Sequence, residues 1–304
     1  MLLKPPSSLI YRPESSLSVV KIAEDLLQRS DVAGVLPTPI DEVTATANLK
    51  EPEDPEPFVQ SFLSALPRAT RDLFIAGWQK IRGIADLRER AIYIPTELKA
   101  MRRLFVKSHE LGHHVIPWHR VNMAYRDDDD SLSSEAQEIF DIEANFFAAE
   151  IIFQGQRFRK RVRDYQPSFE AIFQLADDHG ASRHATLWRF VEEQDEIIAL
   201  LAYWPSNYTV DPEGNPALRR GKVIGSSQFL DKFGNLEAPI EIRTGHPWIE
   251  ARDTGTICKG EMLLPCNGRS QFFQWQSWWN TYTLFIMLRR KPVLSGIARL
   301  LKKQ

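Results

Sequence analysis

Apolar positions in the first two thirds of the chain repeat mostly at helical spacing. From Ser18 to Ser30, Val19, Val20, Ile22, Ala23, Leu26 and Leu27 form one face, with Ser18 as the N-cap. Pro37 and Pro39 force extended backbone, and a short helix is expected from Ile40 to Thr46. Glu51 to Pro57 is an acidic, proline-rich loop; Val59–Leu66 and Leu73–Trp78 are short amphipathic pieces. Ala91 to Pro95 reads as a strand ended by proline. Thr96 caps a helix from Glu97 to Ile116, which Pro117 stops, and Ser134 with Gln137 forms a capping box that opens a helix to Phe153. Ser168 to Glu193 holds two helices about Gly180, the second capped by Ser182. Beyond Ile197 the pattern changes. IIALLAYW, KVIGSSQF, APIEIR, TGTICKG and WNTYTLFIML are β-branched or aromatic runs that predict strands, followed by an amphipathic helix at Val293–Leu301.

This order of elements describes an α+β chain. A mainly helical domain with a small sheet is expected over residues 1–165, a helix-turn-helix-like segment over 166–196, and a β-rich region over 197–304. Hydrophobic residues make up 43% and charged residues 26% of the 304, which excludes a disordered or collagen-like chain. The net charge of −2 creates no global field for nucleic acid or acidic lipid. The uncharged stretch Ser270–Leu288 carries many Ser, Gln, Asn and Thr, so it predicts buried strand rather than a membrane span. No secretory signal is legible at the N-terminus. Cys258 and Cys266 have neither CxxC spacing nor a second pair, so reduced thiols in the cytoplasm are expected.

Chemistry concentrates in SHELGHH. His109 and His113 lie four residues apart on one helix, which aims both imidazoles the same way, one turn apart, as two ligands of a single Zn2+ require. Glu110 sits beside them, placed to move a proton rather than to bind the metal. Gly112 inside a helix costs about 1 kcal/mol relative to Ala, and close approach of another backbone would explain it. A catalytic zinc takes three protein ligands. The next helix offers Glu135, Glu138, Asp141, Glu143 and Glu150. Glu143 lies among core-type residues, where a carboxylate must be paired or metal-bound; Glu150, on the same face, is its rival.

FVKSHELGHHV followed in the next helix by EANFFAAEII resembles the ImmA/IrrE family of metallopeptidases over roughly residues 18–200. Ser108 stands where the family usually has Ala, and IIFQG departs from its LLMP-type helix end. The resemblance implies a zincin-like peptidase domain with metal ligands His109, His113 and Glu143, and Glu110 as general base and acid. It implies zinc, with manganese also suited to a carboxylate ligand. The implied substrate is a helix-turn-helix repressor, cleaved to switch on stress-response or mobile-element genes. One branch of the family carries a GAF-like sensor domain C-terminally, which by analogy suggests the same for the β-rich region.

Other residues carry less. His114 lies off the metal face and reads as packing, and His119 has no assigned role. Arg183, His184 and Arg189 could face a DNA groove, but Asp177, Asp178, Glu192 and Glu193 surround them, which argues against direct DNA binding. The basic run Arg157–Arg163 suits a solvated helix end. The competing class is a non-catalytic regulatory protein that binds DNA or a transcription factor.

Overall fold

In the computed structural model, residues 12–52, 84–86, 90–94, 98–124, 134–210, 214, 216–234 and 236–290 are described. They are α+β and divide into two compact units. One comprises the residues up to Phe158 with Ala176–Ala185; the other comprises Arg159–Leu175 with the residues from Thr186 on.

The first unit opens with α1 (Ser16–Arg29) and α2 (Ile40–Thr46), then β1 (Ile84–Asp86) and β2 (Ala91–Tyr93). These strands pair antiparallel and form the small sheet, with Ile84 opposite Tyr93. Next come α3 (Ala100–Val115), α4 (Pro117–Ala124) and α5 (Ser134–Phe153). The α3 helix begins after the expected Glu97, at Ala100, and Ile116 leaves it in extended conformation because Pro117 follows. Leu26 and Leu27 of α1, Val106 and Leu111 of α3, and Phe147 and Ile151 of α5 share one buried cluster. The α5 helix ends where Gln154 and Gly155 take φ of 53° and 45°. Gln154 then ties down the loop after α1. Its amide donates to the Val35 carbonyl at 2.8 Å and the Thr38 hydroxyl at 3.1 Å, and accepts from the Gly34 N–H at 2.6 Å.

Three helices follow: α6 (Gln156–Arg163), α7 (Phe169–His179) and α8 (Arg183–Glu193). The α7–α8 pair has the expected boundaries, with Gly180 at φ 60° in the turn. In α8, every residue from Thr186 to Val191 is buried, including Arg189, whose guanidinium meets Glu193 at 3.1 Å. Arg189 therefore faces the interior rather than a groove of DNA. The basic run is largely neutralised: Arg157 donates twice to Glu24, at 2.8 and 3.0 Å, and Arg163 meets Asp195 at 2.6 Å. The Arg157 bond in turn holds the Glu24 carboxyl below its usual range.

The second unit is built on β3 (Ile198–Val210), β4 (Pro216–Gly225), β5 (Glu241–Ile242), β6 (Cys258–Cys266), β7 (Arg269–Trp279) and β8 (Leu284–Arg290). They make one antiparallel sheet in the order β5-β4-β3-β8-β7-β6. Two short helices, α9 (Ser227–Phe233) and α10 (Glu250–Thr254), accompany it. Tyr203, Phe229, Trp248, Phe273 and Ile286 are core residues here. The Tyr203 hydroxyl, buried with its ring, donates to the Pro239 carbonyl at 2.8 Å.

Three strand expectations need correction. KVIGSSQF is half strand, because the Ser226 hydroxyl accepts from the Phe229 N–H at 3.2 Å and so caps α9 at that point. APIEIR contributes only Glu241–Ile242 to the sheet. Ser270–Leu288 is two strands, turned at Asn280, whose side chain accepts from the N–H groups of Tyr282 and Thr283 at 3.0 and 2.7 Å. The pieces at Val59–Leu66, Leu73–Trp78 and Val293–Leu301 lie outside the described residues. Among the described residues, no helix is long and apolar enough to cross a membrane.

Phe273 is fully buried beside Phe229 and Phe233. Phe273→Ala should cost about 3–5 kcal/mol, read as a lowered urea midpoint of the tryptophan signal.

Candidate metal centre

Helix α3 supplies His109, Glu110 and His113, and α5 packs across it. Gly112 is what lets them meet. A Cβ there would stand 3.1 Å from Cδ1 of Phe147 and 3.3 Å from the Ala144 Cα, so the Phe147 ring and the Ala144 backbone leave it little room. The helix interior's glycine is thus explained by close approach, as its propensity cost suggested. On the opposite side of α3, the buried Lys107 ammonium is held by Asp41 and Glu51.

At this crossing the Nε2 atoms of His109 and His113 lie 3.1 Å apart. Two nitrogens on one tetrahedral zinc would be about 3.3 Å apart for bonds of roughly 2.0–2.1 Å. Asp141 Oδ1 is 3.7 Å from His113 Nε2, and the donor atoms of His109, His113 and Asp141 all fall within 4.8 Å of one another. Two imidazole nitrogens and a carboxylate oxygen suit a divalent first-row ion. Burial, followed by repulsion from His109, His119 and His114, holds His113 well below the usual histidine range, which keeps it neutral as a ligand must be.

Of the expected ligands, the structure brings His109 and His113 together and puts Asp141, not Glu143, beside them. The reason is helical phase. Asp141 and Asn145 are four apart and share the face toward α3, where the His109 Nδ1–H donates to Asn145 Oδ1 at 3.0 Å. Glu143 is two residues from Asp141, about 200° round the helix. Its carboxylate accepts instead from the Trp118 indole N–H at 2.7 Å and from the Ser15 hydroxyl, and lies 2.7 Å from His119 Nε2. Glu150 is further still: its carboxylate lies over Gly155, past the end of α5. The i, i+4 relation of Asp141 to Asn145 was the available signal that the two share that face. His119 had none, because α4 breaks the register with α3.

Glu110 is buried beside the ligands, and its carboxyl is pushed up to about 8, first by burial and then by the Asp141 charge. His114 lines a different cavity of about 210 Å3, with Arg29, Arg90 and Arg120.

HExxH on one helix with an acid from the crossing helix is the arrangement that metallopeptidases use. Residues 76–190 match the IrrE N-terminal-like domain, Peptidase_M78, and that segment belongs to this family, in agreement with the resemblance at SHELGHH. The peptidases of this family are metal-dependent, and it also has non-catalytic members. No curated protein matches the chain. A solved structure of a Mycobacterium tuberculosis transcriptional regulator is similar at 14% identity, covering 90% of this chain and 76% of its own, with a TM-score of 0.49.

Two outcomes test this geometry. Gly112→Ala should weaken zinc binding by moving α5, and should lower thermal stability, because the backbone at Ala144 cannot yield as a side chain would; overpacking costs about 1–3 kcal/mol against the roughly 1 kcal/mol gained in propensity. In the metal-free protein, Glu110 is protonated in both folded and unfolded states below its ordinary value of 4.5. Between 4.5 and about 8 only the unfolded chain ionises it, so rising pH erodes stability across that window. Paired melting curves should show Glu110→Gln gaining on wild type by several degrees between those limits.

Proposed function

We propose that this chain is a zinc-dependent endopeptidase of the cytoplasm that makes a single cut in a helix-turn-helix repressor and so derepresses stress-response or mobile-element genes. The observation that carries the reading is the convergence of His109 Nε2, His113 Nε2 and Asp141 Oδ1 beside the buried Glu110. These three atoms would hold the metal, with Asp141 in the place first expected of Glu143. Zinc is the natural occupant, and manganese also fits a site with a carboxylate. When bound, the ion acidifies a water and polarises the scissile carbonyl.

The chain's own residues do the rest. Asn145 fixes the His109 ring through its Nδ1–H. Glu110, whose pocket places its carboxyl close to neutrality, takes a proton from the attacking water and passes it to the leaving amine nitrogen. A peptidase-family domain supports a protein substrate; the choice of a repressor rests on the family resemblance. The buried α8 favours a protein partner over duplex DNA. The β-rich unit is assigned a sensor role by the same resemblance.

Zinc content by mass spectrometry, with cleavage of the cognate repressor, tests this. Asp141→Asn should weaken zinc by more than the roughly 10–100-fold that loss of an outer partner costs, whereas Glu143→Gln should retain the metal. Glu110→Gln should keep zinc and lose roughly 100- to 10,000-fold in cleavage rate. An intact repressor with zinc-loaded, folded protein would remove the substrate assignment; a wild type that takes up no metal would leave the non-catalytic regulator.

A further inference from the structure

We propose that the small cavity at the end of α3 binds a phosphate group, either free phosphate or the head of a small phosphomonoester. The inference stands apart from the metal reading, since His109, His113 and Asp141 do not line this cavity. It measures about 210 Å3, lies within the first unit, and is lined by Arg29, Arg90 and Arg120 with Asn48, His114 and Val115.

The three arginines come from separate elements: Arg29 from the last turn of α1, Arg90 from the residue before β2, and Arg120 from α4. Among the described residues that line the cavity there is no carboxylate. Three like charges around one small space repel each other, and they gather here in a chain whose net charge is −2. A bound anion turns that repulsion into attraction. All three residues are exposed, so the anion reaches them from bulk water.

Arginines also gather at helix C-termini, where they answer the last carbonyls. Here the backbone closes those ends itself. At α1, the Ser30 and Val32 N–H groups donate to the Leu26 and Leu27 carbonyls at 3.0 and 3.2 Å. At α2, Asn48 and Leu49 donate to Ala45 and Thr44 at 2.9 and 3.0 Å, and at α3 Ile116 donates to Gly112 at 3.0 Å. Arg90 does give one N–H to the Ala47 carbonyl, at 3.0 Å, and Arg29 gives its Nε–H to Asp25 at 2.9 Å. A guanidinium carries five N–H donors, so both keep others for a ligand.

Arg90 holds its place in an unfavoured conformation. Its φ is 53°, in the left-handed region where glycine or asparagine is the usual choice. Its carbonyl accepts from the Lys50 N–H at 2.9 Å, and the Lys50 carbonyl accepts from the Ile92 N–H at 2.8 Å, which fixes the residue at the rim. The cations are arginine throughout, whose planar fork matches pairs of oxyanion oxygens. A tetrahedral phosphate offers oxygens toward three guanidinium groups at once, whereas a carboxylate has two oxygens in one plane. Pockets for drug-sized ligands run to roughly 300–1,000 Å3, so the phosphate group is the part that this smaller space takes.

The test is calorimetric titration of the full-length protein with sodium phosphate and with glycerol phosphate, sodium chloride holding the ionic strength constant. Saturable binding is expected, weakening as salt is raised. Arg120→Gln and Arg90→Lys should each weaken it about tenfold or more, the scale of one hydrogen bond to a charged group. Melting curves without phosphate verify that both variants fold. Tighter binding of glycerol phosphate supports the site with a phosphomonoester as its ligand, and tighter binding of phosphate supports it with the free ion. Heat that chloride alone reproduces, equal binding of acetate, or a folded Arg120→Gln protein that binds phosphate as wild type does overturns the proposal. So does retention on duplex DNA by a protein that takes up neither small probe.

Discussion

The approach of α5 to α3 at Gly112 is the constraint on which the site depends. The close approach there sets the distance from the imidazoles to what α5 carries. A Cβ at the crossing would press on the Phe147 ring and the Ala144 backbone. The site is therefore a property of a helix crossing rather than of a motif. The HExxH residues bring two imidazoles and an acid together, and the helix phase of α5 decides which carboxylate lies beside them.

That division explains what could be read from the amino-acid order. The adjacency of His109, Glu110 and His113 was legible because it is intrahelical, set by the four-residue turn alone. Which acid of α5 stands beside them was not, because it depends on which face of α5 meets α3. A carboxylate among apolar neighbours must be paired or metal-bound, and in this structure Glu143 is paired, through Ser15, Trp118 and His119. Asp141 escaped the same argument because it is exposed on its free side. His119 was hidden by a different cause. Pro117 restarts the helix, and its return to His113 is visible only in three dimensions.

The fold divides in a similar way. The helices α1, α2, α5, α7 and α8 begin and end within a few residues of expectation. The β-rich character after Ile197 was also evident, but not the strand ends. These turn on single side-chain caps: Ser226 converts the tail of one apolar run into α9, and Asn280 folds a long uncharged run into a hairpin. Such bonds leave no trace in hydrophobic periodicity. The buried charge pair of α8 is likewise invisible in composition, where Arg189 looks like any surface cation.

The order of strands in the second unit bears on how the protein is made. The first strand of this sheet, β3, lies between β4 and β8, and β8 is the last to be synthesised. The pairing of Ala199 with Leu288 and of Leu201 with Ile286 joins residues far apart in the chain at the middle of the sheet. Until the ribosome has released β8, β3 and β4 can form only a hairpin with one open flank, and β6 and β7 another. Such long-range closure folds slowly and exposes sheet edges meanwhile. The helices of the first unit are therefore synthesised well before this sheet can close.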